Sequence, residues 1–195
     1  TISFGYGLNV TPLQIVRAYG AIADGGLLHT PTFVKGGGDA GTRVIDPKVA
    51  SEVLAMLQTV VSKEGTAPTA AVANYIVGGK TGTSHQSAGG GYSNRYVSLF
   101  TGVVPVSDPE LVATVVIHDA GSNEAGLITY AGGFVSAPVF AKVMDGALRL
   151  LDVPPDNVKN WYVGGPMPAP TVPAPPPKVE PDAETLGNMA EVATP

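Results

Sequence analysis

The sequence contains no cysteine and few charged residues, and these absences exclude several classes of protein. Without cysteine there are no disulfides, no thiol catalysis, no zinc–thiolate sites and no iron–sulfur clusters. No apolar run approaches the roughly 18 residues that a membrane-spanning helix needs. Charged residues make up 14% of the chain and the net charge is −5. An acidic chain disfavours nucleic-acid binding, which relies on lysine and arginine to neutralise phosphates.

The apolar content is sufficient for one compact domain followed by a tail. Hydrophobic residues make up 44% of the 195 residues, a typical share for a globular domain. Residues 166–195 hold nine of the 18 prolines, a single glycine and no aromatic residue. Such a segment buries too little surface to offset the entropy of ordering it. We therefore expect a folded unit over residues 1–165 and a Pro-rich disordered tail over residues 166–195.

Helix signals lie ahead of a group of strand signals. Thr11-Pro12 predicts a capped helix start with proline in the first turn, and Gly25-Gly26 predicts its end. Asp46-Pro47 predicts a second helix that closes at Glu64-Gly65. Apolar residues at helical spacing support both.

Three strand-like segments and a last helix complete the predicted order of elements. The strands are expected at residues 75–77 continuing into 80–83, at 96–104 and at 111–118. The last of these is almost wholly apolar or β-branched, which favours a central strand. Residues 137–151 are predicted to form an amphipathic helix. Helices, an antiparallel meander and a covering helix together indicate an α+β fold.

The strongest candidate for chemistry is Lys80-Thr81-Gly82-Thr83. Side chains alternate along a strand, so Thr81 and Thr83 share a face and can present two hydroxyls to one carboxylate. Gly82 leaves room for a ligand backbone along the strand. Lys80 adds positive charge, and the N–H of Thr83 can point at a developing oxyanion. So short a motif also fits a strand that simply runs into a polar turn.

A phosphate-binding loop is the rival interpretation, since Gly79-Lys80-Thr81 matches the end of the Walker A pattern. That pattern requires glycine at position 74, where Asn74 stands, and a helix immediately after the motif. Gly82 and the glycine-rich stretch at 87–91 disfavour such a helix. We therefore reject nucleotide binding.

The histidines give no metal signal, because His29, His85 and His118 are scattered and no carboxylates join them at ligand spacing. We expect His85 in a solvated loop rather than in a ligand cleft. Arg95 either attracts an anionic ligand or is an exposed loop residue. We expect no metal and no cofactor.

The segments around the Lys-Thr-Gly motif resemble class B penicillin-binding proteins, and within that class the division-type transpeptidases. The motif itself looks like the third active-site motif of penicillin-binding transpeptidases and serine β-lactamases. The resemblance extends from about residue 3 to residue 160. The other matching segments are Phe4-Gly5-Tyr6-Gly7, Val10-Thr11-Pro12-Leu13-Gln14, Glu64-Gly65-Thr66-Ala67, Arg95-Tyr96, Gly102-Val103-Val104-Pro105, Tyr130 with Gly132-Gly133, and Ser136-Ala137-Pro138-Val139-Phe140.

The resemblance implies the C-terminal part of an α+β transpeptidase domain of the penicillin-binding and serine β-lactamase fold. It implies an enzyme that cross-links peptidoglycan stem peptides through an acyl-serine intermediate and is inhibited by β-lactams. Lys80 and Thr83 would then be catalytic. The residues implied in substrate binding are Thr81, Gly82, Thr83, Ser84, Tyr130 and Gly132.

The resemblance also implies a cellular setting. The protein would act in septal cell-wall synthesis on the periplasmic side of the bacterial inner membrane, anchored by an N-terminal helix outside this sequence. Its partners would be stem peptides, β-lactam antibiotics, the N-terminal remainder of the same protein and other divisome membrane proteins, but no nucleic acid.

Three features depart from the family pattern. The sequence contains neither Ser-x-x-Lys nor Ser-x-Asn, and Tyr92-Ser93-Asn94 follows the Lys-Thr-Gly motif in the wrong order. Ala131 stands where a second aromatic residue is expected beside Tyr130. We therefore expect the nucleophile to lie outside this sequence. A non-catalytic carboxylate- or peptide-binding module, or a relative of D,D-carboxypeptidases and β-lactamases, stays open as an alternative.

Overall fold

The computed structural model describes residues 7–88, 91–121 and 130–158. The expected tail at residues 166–195 and the expected end of the folded unit lie outside the described residues. None of the helices within those ranges is both long and apolar enough to cross a membrane. In chain order the elements are α1 (Pro12–Ala23), β1 (Leu27–Leu28), β2 (Thr42–Arg43), α2 (Pro47–Gln58), two short 3-10 turns (Thr59–Val61 and Pro68–Ala70), β3 (Gly78–Ala88), β4 (Gly91–Val104), β5 (Leu111–His118) and α3 (Gly132–Leu150).

The starts of α1 and α2 are confirmed, and side-chain caps explain them. The hydroxyl of Thr11 accepts a hydrogen bond from the Gln14 N–H at 3.3 Å, and the Gln14 side chain accepts one from the Thr11 N–H at 2.8 Å. A carboxylate oxygen of Asp46 accepts from the Lys48 N–H at 2.8 Å. These bonds satisfy amide groups that have no partner inside a helix. α2 ends sooner than expected, because Thr59–Val61 tightens into a 3-10 turn.

β3, β4 and β5 form an antiparallel sheet with β4 in the middle. This arrangement confirms the predicted meander, although β3 begins at Gly78 and the expected strand at residues 75–77 lies ahead of it. Among the described residues, β4 rather than the segment 111–118 is the central strand. β5 is apolar for another reason: helices α1 and α3 pack against its two faces. β1 and β2 form a separate two-stranded sheet that the sequence did not predict.

Helix α3 begins at Gly132, well before the predicted start at residue 137. Pro138 lies inside the helix, although proline is most common in a first turn. A proline there leaves the carbonyl four residues earlier without its helical partner. That carbonyl belongs to Phe134, an exposed residue in the first turn of α3.

The sheet is covered on one face by α3 and on the other by α1 and α2. On the α3 face, the rings of Phe100 and Phe140 meet edge to face with centroids 5.0 Å apart. No room remains there for a side chain at Gly79 or Gly102, because a Cβ would lie 2.5 Å from the Phe100 ring or 2.6 Å from the Phe140 ring. The residues that complete this core are Val104, Ala137, Met144 and Leu148. Close packing thereby fixes α3 beside the strand that carries the Lys-Thr-Gly motif.

Candidate active site

The Lys-Thr-Gly motif lies in β3, at an edge of the sheet. The register places Thr81 opposite Phe100 and Thr83 opposite Ser98. Phe100 and Ser98 both contact α3, so the two threonines lie on the face that α3 covers. Lys80 and Gly82 alternate with them and lie on the other face. Among the described residues, β3 pairs only with β4, and its second edge has no strand partner.

The exposed ammonium of Lys80 lies against the next residue of the motif. Its Nζ donates to the Thr81 carbonyl oxygen at 3.0 Å and lies 3.5 Å from the Thr81 hydroxyl oxygen. Hydrogen bonds between a charged group and an anion are shorter and stronger than neutral ones. The ammonium and the hydroxyl therefore form one cationic donor group suited to a carboxylate.

Thr83 connects the motif to α3. Its hydroxyl oxygen accepts a hydrogen bond from the Gly132 N–H at 3.1 Å. Ala131, which precedes the helix, provides no side-chain cap, so a residue of the neighbouring strand satisfies the first amide of α3. Since a hydroxyl has one proton and two lone pairs, this bond leaves the Thr83 proton available to a ligand.

Gly132 allows α3 to approach the motif this closely. A Cβ at position 132 would overlap the Leu99 carbonyl oxygen and lie 2.8 Å from the Gly82 carbonyl oxygen. Sequence reasoning assigned Gly132 to the substrate-binding set by resemblance alone. The structure gives it a packing role directly beside the motif.

Tyr130 forms an aromatic cluster with Tyr96 and His85. The rings of Tyr130 and Tyr96 are stacked, with centroids 3.7 Å apart and planes 6° from parallel. The rings of His85 and Tyr96 have centroids 4.4 Å apart and planes inclined by 43°. The expectation of a solvated loop at His85 is wrong, because the residue is half-buried within β3. Ser84 precedes it in the strand, half-buried and paired with Val97.

Arg95, in β4, binds Asp119, which directly follows β5. Its Nε donates to Asp119 at 2.6 Å, its Nη2 contacts the same carboxylate, and the Gln86 amide donates at 3.0 Å. The hydrogen bond from Arg95 is the main reason that the pKa of Asp119 is lowered. The expectation of a loop position for Arg95 is wrong, because the residue lies within β4. Its guanidinium is exposed but bound to the Asp119 carboxylate, and its role towards an anionic ligand stays a prediction.

The three histidines lie in separate parts of the fold. His29 lies between α1 and β2, where Nε2 is 2.6 Å from Asp24 and Nδ1 is 3.1 Å from Asp39. His85 lies in β3 and His118 ends β5. Within the described ranges, no three side chains of histidine, aspartate or glutamate come together as a metal site.

Sequence reasoning gave Thr66 no role, although the structure places it at the motif. The hydroxyl oxygens of Thr66 and Thr81 are 3.1 Å apart. The segment around Thr66 was noted only for its resemblance, and an exposed threonine in a turn carries no local signal of this contact. The residues gathered at the edge of β3 can bind a carboxylate, but the sequence supplies no Ser-x-x-Lys nucleophile beside them.

Comparisons with known proteins identify the family of this chain. The family model of the penicillin-binding protein transpeptidase domain matches residues 1–145. The probable peptidoglycan D,D-transpeptidase PbpC of Pseudomonas aeruginosa is 40% identical over 162 residues, which are 82% of this chain and 28% of that protein. The peptidoglycan D,D-transpeptidase FtsI of Escherichia coli K12 is 37% identical over 169 residues. That alignment covers 84% of this chain and 28% of that protein.

A solved structure shows the same likeness. The apo transpeptidase domain of penicillin-binding protein 3 from Burkholderia pseudomallei aligns with a TM-score of 0.69 at 40% identity. The alignment covers 82% of this chain and 47% of that one. The chain therefore spans a little over a quarter of the two curated relatives and about half of the solved domain.

Proposed function

The chain belongs to the penicillin-binding protein transpeptidase domain family, and on that premise we propose that it supplies the carboxylate-binding part of a peptidoglycan D,D-transpeptidase. One observation carries the proposal: Lys80, Thr81 and Thr83 present an ammonium and two hydroxyls along the open edge of β3. In this proposal the acylated serine and its lysine come from residues outside this sequence. The folded unit at 1–165 is then part of the transpeptidase domain, and 166–195 is an extended tail.

The proposed ligand is a stem peptide that ends in D-alanine and carries a free carboxylate. Lys80 and the hydroxyls of Thr81 and Thr83 would bind that carboxylate through charge-assisted hydrogen bonds, each contributing about 1.5–3 kcal/mol. Gly82 would let the peptide backbone run close along β3. The β-lactams carry a matching carboxylate, so the same residues would bind them as inhibitors.

The catalytic contribution of the chain is proposed to be electrostatic. The Thr83 N–H would donate to the oxyanion of the tetrahedral intermediate, together with the N–H of the nucleophile. A backbone donor fixed in a strand needs no reorganisation, and removing one such donor typically lowers the rate about 10²–10³-fold. Lys80 would stabilise the same negative charge. Ser84, Gly132 and the Tyr130–Tyr96 stack would line the cleft beside the peptide.

The cellular setting is part of the same proposal and is supported by the resemblance to peptidoglycan D,D-transpeptidases. We propose septal cell-wall synthesis on the periplasmic side of the inner membrane, with an anchor and the N-terminal remainder supplied outside this sequence. Contacts with other divisome membrane proteins belong to the same proposal. The absence of Ser-x-x-Lys from the sequence favours one second candidate, a module that binds the carboxylate without catalysis.

The test is the second-order acylation rate of the full-length protein that carries this sequence, measured with a fluorescent penicillin. We expect Lys80→Ala to lower the rate at least about 100-fold. Lys142→Ala, at an exposed position on α3, is the matched control and should acylate normally. Wild-type acylation by a folded Lys80→Ala variant would disprove the proposal. Labelling of the 195-residue chain alone would show that the nucleophile is not external.

A further inference from the structure

We propose that Thr66 is a positioning residue whose hydroxyl directs the proton of Thr81 towards the bound carboxylate. The inference rests on the proposed function and adds a residue that sets the affinity for carboxylate ligands. It starts from the 3.1 Å separation of the two hydroxyl oxygens. Thr66 lies in the turn before Pro68–Ala70 and Thr81 lies in β3, so tertiary structure alone brings them together.

The direction of this hydrogen bond decides whether the Thr81 hydroxyl presents its proton or its lone pairs to the ligand. Either hydroxyl can be the donor in the structure. If Thr81 donates to Thr66, its lone pairs face the ligand and repel a carboxylate. If Thr66 donates to Thr81, the Thr81 proton is left for the ligand. The nearby Lys80 ammonium, 3.5 Å from the Thr81 oxygen, can only donate. A bound anion therefore favours Thr66 as the donor.

Contacts of the peptide unit that joins Thr66 to Ala67 hold the Thr66 backbone in this place. The Ala67 N–H donates to the Val60 carbonyl at 2.9 Å, and Ala67 is fully buried. Gly133 in α3 lies so close that a Cβ there would overlap the Thr66 carbonyl oxygen. The Thr66 side chain is exposed, yet its backbone is fixed between the 3-10 turn and α3. The hydroxyl is thus preorganised, which is how positioned groups gain affinity at low entropic cost.

The inference predicts an effect confined to ligands with a free carboxylate. We would measure the second-order acylation rates of the full-length protein with a penicillin and with its methyl ester, and take the acid-to-ester ratio. Thr66→Val removes the hydroxyl and keeps the shape, so we expect the ratio to fall about three- to tenfold, the usual worth of one neutral hydrogen bond. Thr66→Ser keeps the hydroxyl and should retain the wild-type ratio within about twofold.

A parallel variant separates this inference from the proposed function. Thr81→Val removes the hydroxyl that contacts the ligand. A lower ratio in Thr81→Val but a wild-type ratio in Thr66→Val would overturn the inference and leave the proposed function intact. A wild-type ratio in both variants would overturn both.

A structural role for Thr66 has a different signature. Equal losses of the acid and ester rates in Thr66→Val would show general damage to the site and would overturn the inference. Melting temperatures establish that each variant is folded. If Thr66→Val does not fold, Thr66→Ala replaces it, because this variant removes the same hydroxyl without placing a methyl group near Thr81. The acid-to-ester ratio of its acylation rates then tests the inference in the same way.

Discussion

The backbone N–H of Gly132 donates to the hydroxyl oxygen of Thr83 at 3.1 Å, so a side chain of the Lys-Thr-Gly strand caps helix α3. A helix usually takes its cap from the residue that precedes it, but Ala131 has no side chain able to accept. The strand edge and the start of α3 therefore form one unit. A substitution that removes the hydrogen bond between Gly132 and Thr83 should therefore change both the stability of the protein and its ligand binding.

Thr83→Val is expected to destabilise the full-length protein by about 1 kcal/mol, because the first amide of α3 loses its acceptor. Thr83→Ser keeps an acceptor and should recover most of that stability. Urea denaturation measures the free energy of unfolding of both variants. Equal stabilities for the valine and serine variants would contradict the capping role.

Gly132→Ala is expected to destabilise the protein by roughly 1–3 kcal/mol, as overpacking does in other close contacts. The added Cβ would overlap the Leu99 carbonyl oxygen and force α3 away from β3. Gly146 lies in the same helix, and a Cβ there meets nothing within 4 Å. Gly146→Ala should therefore stabilise the protein by about 0.5–1 kcal/mol. Thermal unfolding gives the melting temperatures of the Gly132→Ala and Gly146→Ala variants. Similar changes in melting temperature for the two variants would refute the prediction.

Gly82→Val is expected to separate folding from ligand binding. A Cβ at position 82 would lie 3.3 Å from Leu99 Cδ2, the end of a flexible side chain that can move aside. The fold should tolerate the change, while the branched side chain obstructs the path proposed for the ligand backbone. We expect the acylation rate of the full-length protein to fall at least about tenfold, with Gly82→Ala intermediate. An unchanged rate for the valine variant would place the ligand elsewhere.

His29 should make stability depend on pH. Its hydrogen bond to Asp24 is the main cause that raises the pKa of His29 above its ordinary value of 6.5. Hydrogen bonds from Thr30 are the main cause that lowers the pKa of Asp39 from 3.8 to about 2. The charged Asp24–His29–Asp39 link is therefore fully present below the ordinary pKa of histidine and is lost as pH rises through the raised value. In acid the contribution of Asp39 is lost as its carboxylate becomes protonated, between pH 3.8 and about 2.

The comparison of wild type with His29→Gln tests this link. The wild type should exceed the variant in melting temperature most clearly near pH 5 and lose that advantage by about pH 9, where histidine is neutral. The prediction would be contradicted if the difference in melting temperature between the wild type and His29→Gln increased with rising pH.

Local signals were enough to predict much of this fold. Thr11 and Asp46 marked the starts of two helices because a helix start needs a side-chain acceptor within the same few residues. The strand position of the Lys-Thr-Gly motif also followed from neighbouring residues, and strand alternation placed Thr81 and Thr83 on one face. Such features depend on residues close together in sequence, which is why one sequence suffices for them.

The features that the sequence did not predict depend on contacts between residues that are distant in sequence. β5 looked like a central strand because an apolar run does not reveal whether strands or helices cover it. The contact of Thr66 with Thr81 and the packing of His85 on Tyr96 exist only after β3 has met the turn and β4. The early start of α3 likewise depends on Thr83, an acceptor from another element.

The close contacts at Gly79, Gly102, Gly132 and Gly133 bear on how this protein can change over generations. Every other amino acid carries a Cβ, so no codon change at these four positions yields a substitution that fits the present backbone. Selection for stability should remove such variants whatever ligand is present. Sequence drift that alters ligand preference is thereby directed to neighbouring exposed side chains such as Thr66. The close packing of α3 against the sheet is inherited nearly unchanged.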